Sequence, residues 1–166
     1  MIKLRTIGMI DKNLKNDPTV KAHADIPNGY LCTVAGGKTV APVAGASSAK
    51  QSKDLRIVMN APLGDDSYTD IVIKKDSFAN TFILKEWEGQ DLVFDESHIT
   101  YASEKSYKDL TVGTKLVADT NGKFAVSTDV SNYGVYFEIV QKIAFNGNGI
   151  IARIAVSEDV QAQVGG

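Results

Sequence analysis

DLTVGTKLVADTNGKFAVSTDVSNYGVYFEIVQKIAFNGNGIIARIAV, residues 109–156, decides the fold class. The pieces VGTKLVAD, TNGKFAV, YFEIVQKIAF and IIARIAV are rich in β-branched and aromatic side chains and are bounded by Gly, Asn or Asp, the pattern of strands joined by tight turns. Within VYFEIVQKIAF, alternation puts Val135, Phe137, Ile139, Ile143 and Phe145 on one side, with Gln141 as a polar exception. Tyr136, Glu138, Val140 and Lys142 fall opposite, as in a half-buried strand. The turn NGNG, Asn146 to Gly149, supplies residues that tolerate positive φ, so IIARIAV folds back as the hairpin partner with Ile150, Ala152, Ile154 and Val156 on one face. The expectation is an all-β, mostly β protein, a compact antiparallel barrel or sandwich.

Working outward, the 166 residues suit one domain, and a compact chain of this size buries roughly 70% of its unfolded surface. A hydrophobic fraction of 43% with 23% charged residues is globular, and 14 glycines favour turns over long helices. The net charge of −2 gives no domain-wide positive field to attract phosphate, which argues against nucleic acid as a partner. The single cysteine, Cys32, can make no intramolecular disulfide, which fits synthesis in a reducing cytoplasm. MIKLRTIGMIDKNLK has the features of neither a secretory leader nor a membrane span.

Residues 1–24 read as an N-terminal arm, because Asn13, Asn16, Asp17 and Pro18 break any regular period. Ile2, Leu4, Ile7 and Ile10 suffice to dock on something without forming a core. The arm either orders on a partner or packs on its own domain. Residues 25–160 form one β-rich domain. Its start, ADIPNGYLCTVAGGKTVAPVAG, is a hairpin turning at Gly36-Gly37. Residues 25–42 echo 109–127, as a repeat or as two hairpins with the same turn chemistry. AGASSAKQSK, residues 44–53, is a flexible loop, 54–100 is a candidate insertion, and 161–166 is a tail. FANTFILKEWEGQDLVF suits either period and is read as strand or mixed structure, the alternative being a short helix near residues 77–88 that would end at Gly89.

Motifs of chemistry are weak. Gly36-Gly37-Lys38-Thr39 resembles the end of a phosphate loop, but Cys32 stands where a further glycine is needed, and Pro42 interrupts the helix that should follow. His23 and His98 have no second ligand at zinc spacing, and Asp65, Asp66 and Asp70 lack the calcium-loop order. No catalytic, cofactor-binding or metal residue is assigned and no cofactor is expected. An acid and base pair within Glu86, Glu88, Asp91, Asp95 and Glu96 is the one hydrolase reading left. Tyr68, Tyr101, Tyr107, Tyr133, Tyr136 and Trp87 serve an interface or a core.

Gly113, Thr114 and Leu116, followed by the turn Asn121, Gly122 and Lys123 and then the hairpin into IIARIAV, resemble the C-terminal half of tailed-bacteriophage head decoration, or capsid cement, proteins. The resemblance implies a structural virion protein, not an enzyme, that sits on the capsid exterior after synthesis in the host cytoplasm. Its partners would be the major capsid protein and further copies of itself, a trimer by resemblance, with no nucleic acid and no membrane. Under that reading Ile2, Leu4, Ile7 and Ile10 are candidates for the capsid contact, and Tyr136 and Arg153 for contact between copies. A head fibre or tail-associated β module binding a host surface is the alternative within virion proteins, and the hydrolase stands as the alternative from another class.

Overall fold

The computed structural model describes residues 3–4, 16–17, 19–42, 45, 51, 53–60, 71–144 and 147–157. Its strands are β1 (Lys3–Leu4), β2 (Asn16–Asp17), β3 (Ile26–Pro27), β4 (Leu31–Ala35), β5 (Lys38–Val40), β6 (Arg56–Val58) and β7 (Val72–Ile73). They continue as β8 (Thr81–Ile83), β9 (Asp91–Asp95), β10 (Ile99–Thr100), β11 (Lys115–Ala118), β12 (Phe124–Val126), β13 (Val135–Ala144) and β14 (Asn148–Val156). Strands make up 47% and helix 8%, with no helix of seven residues or more among the described residues, so the class is all-β. The sheets curl into a half-barrel. Seven strands run in the order β1-β9-β14-β13-β11-β12-β10, five in the order β2-β8-β6-β4-β5, and β3 pairs with β7. Pairing between these strands is antiparallel except at the margin, where β10 lies parallel to β12, and the isolated bridges Lys21 to Lys38 and Gln51 to Tyr133 are parallel as well.

The main core sits under the seven-stranded sheet. Phe94 stacks on Phe124 with ring centroids 4.1 Å apart, and Phe124 meets Phe137 edge-on at 4.8 Å. These rings come from β9, β12 and β13, strands brought together only by the sheet order. Each fully buried ring of this kind contributes about 1.5–3 kcal/mol over an exposed one. A smaller core of Ala22, Ile26, Cys32, Val58, Ile73 and Ala79 lies under the other strands.

The polar exception in β13 has a structural cause. The register against β14 slips between Ile139 and Gln141, leaving Val140 as the extra residue of a β-bulge. The slip reverses the alternation, so Gln141 is exposed and Lys142 falls opposite buried Ile150. The inward place expected of Gln141 is therefore corrected. The Lys142 ammonium donates to the carbonyls of Tyr107 and Leu110, each at 2.8 Å, and stands 4.3 Å from the Tyr107 ring centroid. Tyr107 Oη in turn donates to Gly149 O at 2.9 Å, strapping the short turn Tyr107–Asp109 to the long hairpin.

The 77–88 segment is mixed, as read: a strand to Ile83 and then one 3-10 turn, Leu84–Trp87, in place of the alternative short helix. Phe78 instead bridges Lys21, and Thr81 to Ile83 pair with β6, so strand hydrogen bonds claim the segment before a helix can start. Residues 54–100 supply β6 to β10, and β9 lies between β1 and β14 inside the large sheet. In the 44–53 segment, Gln51 is buried at 1% exposure, donates its N–H to Asn132 O at 2.7 Å and reaches Ala118 O with its amide at 3.2 Å.

The Gly36-Gly37 turn forms as read, with φ of 57° and 74° and with Ala35 paired to Lys38, the two-residue hairpin that needs left-handed backbone twice. The other G-K turn is longer: Asp119 Oδ1 accepts from the N–H groups of Asn121 and Lys123, both at 2.8 Å. Gly122 there touches the small sheet, its carbonyl accepting from Leu31 N at 2.7 Å, and a Cβ on it would lie 2.6 Å from Leu31 O. The two hairpins share turn residues and differ in turn geometry.

Candidate functional site

Side chains alternate across β13 and β14, so burying Phe137 and Ile154 turns Tyr136 and Arg153 outward on the large sheet. Glu138 pairs directly with Arg153 and with Lys115 on the neighbouring strand. Arg153 Nε donates to Asp91 Oδ1 at 3.0 Å, while the Lys115 ammonium lies 5.5 Å from the Tyr136 ring centroid. The two residues assigned to contact between copies thus share one rigid, mixed-charge face. Arg153 is already ion-paired within the chain, with its side chain 54% exposed.

Of the arm residues assigned to a capsid contact, Ile2, Ile7 and Ile10 lie outside the described residues. Leu4 belongs to β1, which pairs antiparallel with β9 through Lys3 to Val93 and Leu4 to Leu92. Further along the arm, Asn16 and Asp17 pair with β8, and Val20 and Ala22 are buried. At these points the segment packs on its own domain.

The acidic residues weighed for hydrolysis are dispersed. Glu86 and Glu88 are exposed around the 3-10 turn, Asp91 holds Arg153, and Glu96 accepts from Asn148 Nδ2 at 3.0 Å. Asp95 caps the turn Glu96–His98 by accepting from Ser97 N at 3.0 Å, and it also bonds the Ser97 hydroxyl and His98 Nδ1. Burial would raise the Asp95 carboxyl, but the hydrogen bonds it accepts, those of Ser97 and His98 among them, hold it well below its usual range. Asp, Ser and His here converge on one ring nitrogen, Nδ1, while Nε2 is 3.5 Å from Asn28 O. A relay needs the acid and the nucleophile at opposite nitrogens, so this cluster is a turn cap.

An open cleft of about 560 Å³ lies between residues 101–115 and 126–128. Several of its polar groups pair locally, Ser106 with Asp109, Thr114 with Thr111, Ser127 Oγ with Asp129 O and Lys105 with Asp109 at 3.9 Å, while the buried Tyr101 hydroxyl in the wall has no hydrogen-bond partner among the described residues. Tyr101 in its wall packs against the main core, and burial, with Glu96 nearby, pushes its phenol up to about 12. A ligand site usually presents polar groups converging on one point, and here they face each other. His23 Nδ1 meets Thr39 Oγ1 at 2.9 Å, so the buried G-K-T threonine ties residue 23 to the hairpin instead of facing a phosphate. Burial pushes the Cys32 thiol up to about 12, against the pull of Arg56. Among the described residues, no group of three or more His, Cys, Asp or Glu could hold a metal ion, and no helix is long and apolar enough to cross a membrane.

No protein-family model matches the chain, and neither does any curated protein or solved structure. Sequence reasoning passed over a second outward face, around Phe78, Lys21 and Lys38. The available signal was two lysines and a phenylalanine bordering apolar strands, but only the long-range pairing of residues 21, 38 and 78 places them together.

Proposed function

We propose that this chain is a structural protein that docks on other proteins: a decoration protein on the exterior of a tailed-phage capsid that reinforces contacts between capsid subunits. The observation that carries this reading is how the molecule deploys its polar and aromatic groups. Around His98 and over much of the cleft they engage one another, whereas on the outer faces Phe78 stands beside Lys21 and Tyr136 beside Lys115, turned away from the core. Such a surface fits recognition by shape and charge, with modest contacts multiplied over a lattice. The turn order from Gly113 to Lys123, which resembles cement proteins, supports the same reading. The partners under this proposal are the major capsid protein and further copies of the chain.

Co-sedimentation of the purified chain with expanded shells tests it. Saturable binding that raises shell resistance to heat is the expected result, and failure to pellet with shells sinks the proposal. Binding to host cells or glycans in isolation would favour the host-surface module instead.

A further inference from the structure

Residues 20–22 run between two other segments of the small sheet. Lys21 N donates to Gly37 O at 3.0 Å and Thr39 N to Lys21 O at 2.8 Å on one side; Ala22 N donates to Ser77 O at 2.9 Å and Ala79 N to Val20 O at 2.8 Å on the other. Lys21 is thereby paired with Lys38 across a parallel bridge and with Phe78 across an antiparallel one. Directly paired residues share a face, so Lys38, Lys21 and Phe78 stand in a row. Alternation adds Val40 to that row and sends Thr39, Val20, Ala22 and Ala79 to the buried side.

The row sets exposed apolar groups among cations. Phe78 is 62% exposed and Val40 39%, and the Lys21 ammonium sits 5.6 Å from the Phe78 ring centroid. Lys74 and Lys75 border it, giving four lysines against two aspartates in a chain whose net charge is −2. The aspartates order the lysines: Lys38 Nζ is 3.0 Å from Asp76 Oδ1, and Lys74 Nζ 2.8 Å from Asp25 Oδ2. The turn beneath is fixed as well, with Asp76 held at φ 63° by its N–H bond to Ala22 O at 2.8 Å. An exposed ring on a fixed backbone loses little freedom when it is covered.

We infer that the Phe78, Lys21, Lys38 and Val40 face is a docking surface for an acidic protein surface, one that offers an apolar recess to Phe78 and carboxylates to the lysines around it. A central aromatic anchor with a charged rim is the anatomy of a protein interface hot spot. A polyanion fits less well. Nucleic-acid binding draws on many phosphate contacts, and an excess of two positive charges supplies few. One ring is also a weaker hold on a bilayer than the two signals that stable anchoring takes.

The inference deepens the proposed function and rests on the reading of the chain as a protein-docking module, but the two fail separately. The probe is a ribosome-displayed random peptide library panned on the immobilised full chain, followed by affinity measurement of the selected peptides at two salt concentrations. Selected peptides should be rich in Asp and Glu flanking Leu, Met or Phe. Their affinity should fall about tenfold for Phe78→Ser and for the Lys21→Glu, Lys38→Glu pair, and should weaken with salt. Unchanged circular dichroism shows that each variant keeps its fold, and the lysine pair serves if Phe78→Ser does not fold.

Peptides that ignore both variants, or no enrichment at all, overturn the inference. So do equal retention by heparin or phosphatidylserine vesicles, and self-association in sedimentation velocity that Phe78→Ser abolishes. Shells that bind the wild type and both variants alike overturn this face and leave the proposed function standing. Acidic peptides selected through Phe78 by a chain that ignores shells do the reverse.

Discussion

Around Phe124 the main core buries three aromatic rings against aliphatic residues from both sheets, while around Cys32 the smaller core buries mostly small side chains between strands of two to five residues. What the small sheet lacks in apolar volume it replaces with side-chain amides. Asn28 Oδ1 accepts from Asn60 N at 2.7 Å, Asn28 Nδ2 donates to Asn60 O at 3.1 Å, and Asn60 Oδ1 accepts from Asn80 N at 2.7 Å. These amides continue the ladder where backbone pairing stops. The contrast shows one chain stabilising two regions by different physics: non-directional burial in one, directional hydrogen bonds in the other.

The largest test of that contrast is Phe124→Ala. It removes the ring shared by both aromatic contacts and should cost about 3–5 kcal/mol, read as a lowered denaturant midpoint. A loss below 1 kcal/mol would mean the rings are not the main support. Asn28→Ala comes next, at about 1–3 kcal/mol, because it leaves the N–H and carbonyl of Asn60 without their side-chain partner. Amide exchange should then rise in residues 26–34 and 79–82 while β13 and β14 stay protected; uniform loss of protection would mean the two regions unfold as one.

Alkaline pH probes the small core from another side. Cys32 has its thiol raised from 9.0 to about 12 by burial, so the unfolded chain ionises first. Stability is therefore intact below pH 9 and falls as pH rises toward 12, by about 1–2 kcal/mol near pH 10.5. Cys32→Ala should flatten that slope, although Tyr101, raised from 10.0 to about 12, keeps a share of it. Gly36→Ala forces a Cβ into the left-handed region at φ 57° and should cost about 1–2 kcal/mol. Smallest of all, Arg153→Ala loses a mostly exposed ion pair and should shift stability by about 0.5 kcal/mol or less. If it nonetheless weakens self-association, Arg153 acts between copies.

Where local pattern sets the structure, the sequence was legible. Alternation in VYFEIVQKIAF and the turn Gly36-Gly37 announced the two hairpins, although Asn148 and Gly149, read as turn residues, already pair with β13. The bulge at Val140 was not legible, because an extra residue leaves no mark beyond a polar residue in the wrong phase. The fate of 77–88 depended on Lys21 and Arg56, residues far away in sequence that offered strand partners. The same limit hid the Asn28, Asn60 and Asn80 relay and the Phe78 face, each assembled from positions tens of residues apart. The outward orientation of Tyr136 and Arg153, by contrast, followed from period two alone.

The order of the large sheet also bears on how the chain acquires its shape. β14 lies at the sheet's interior, between β9 and β13, yet follows both of them in the chain. Phe94 on β9 and Phe137 on β13 therefore have no complete floor during synthesis until residues 148–156 emerge. Until then the β9 edge that will receive β14 stays open, a site for mispairing or for a chaperone. Folding of the large sheet should consequently be late and cooperative, set by the arrival of a single strand.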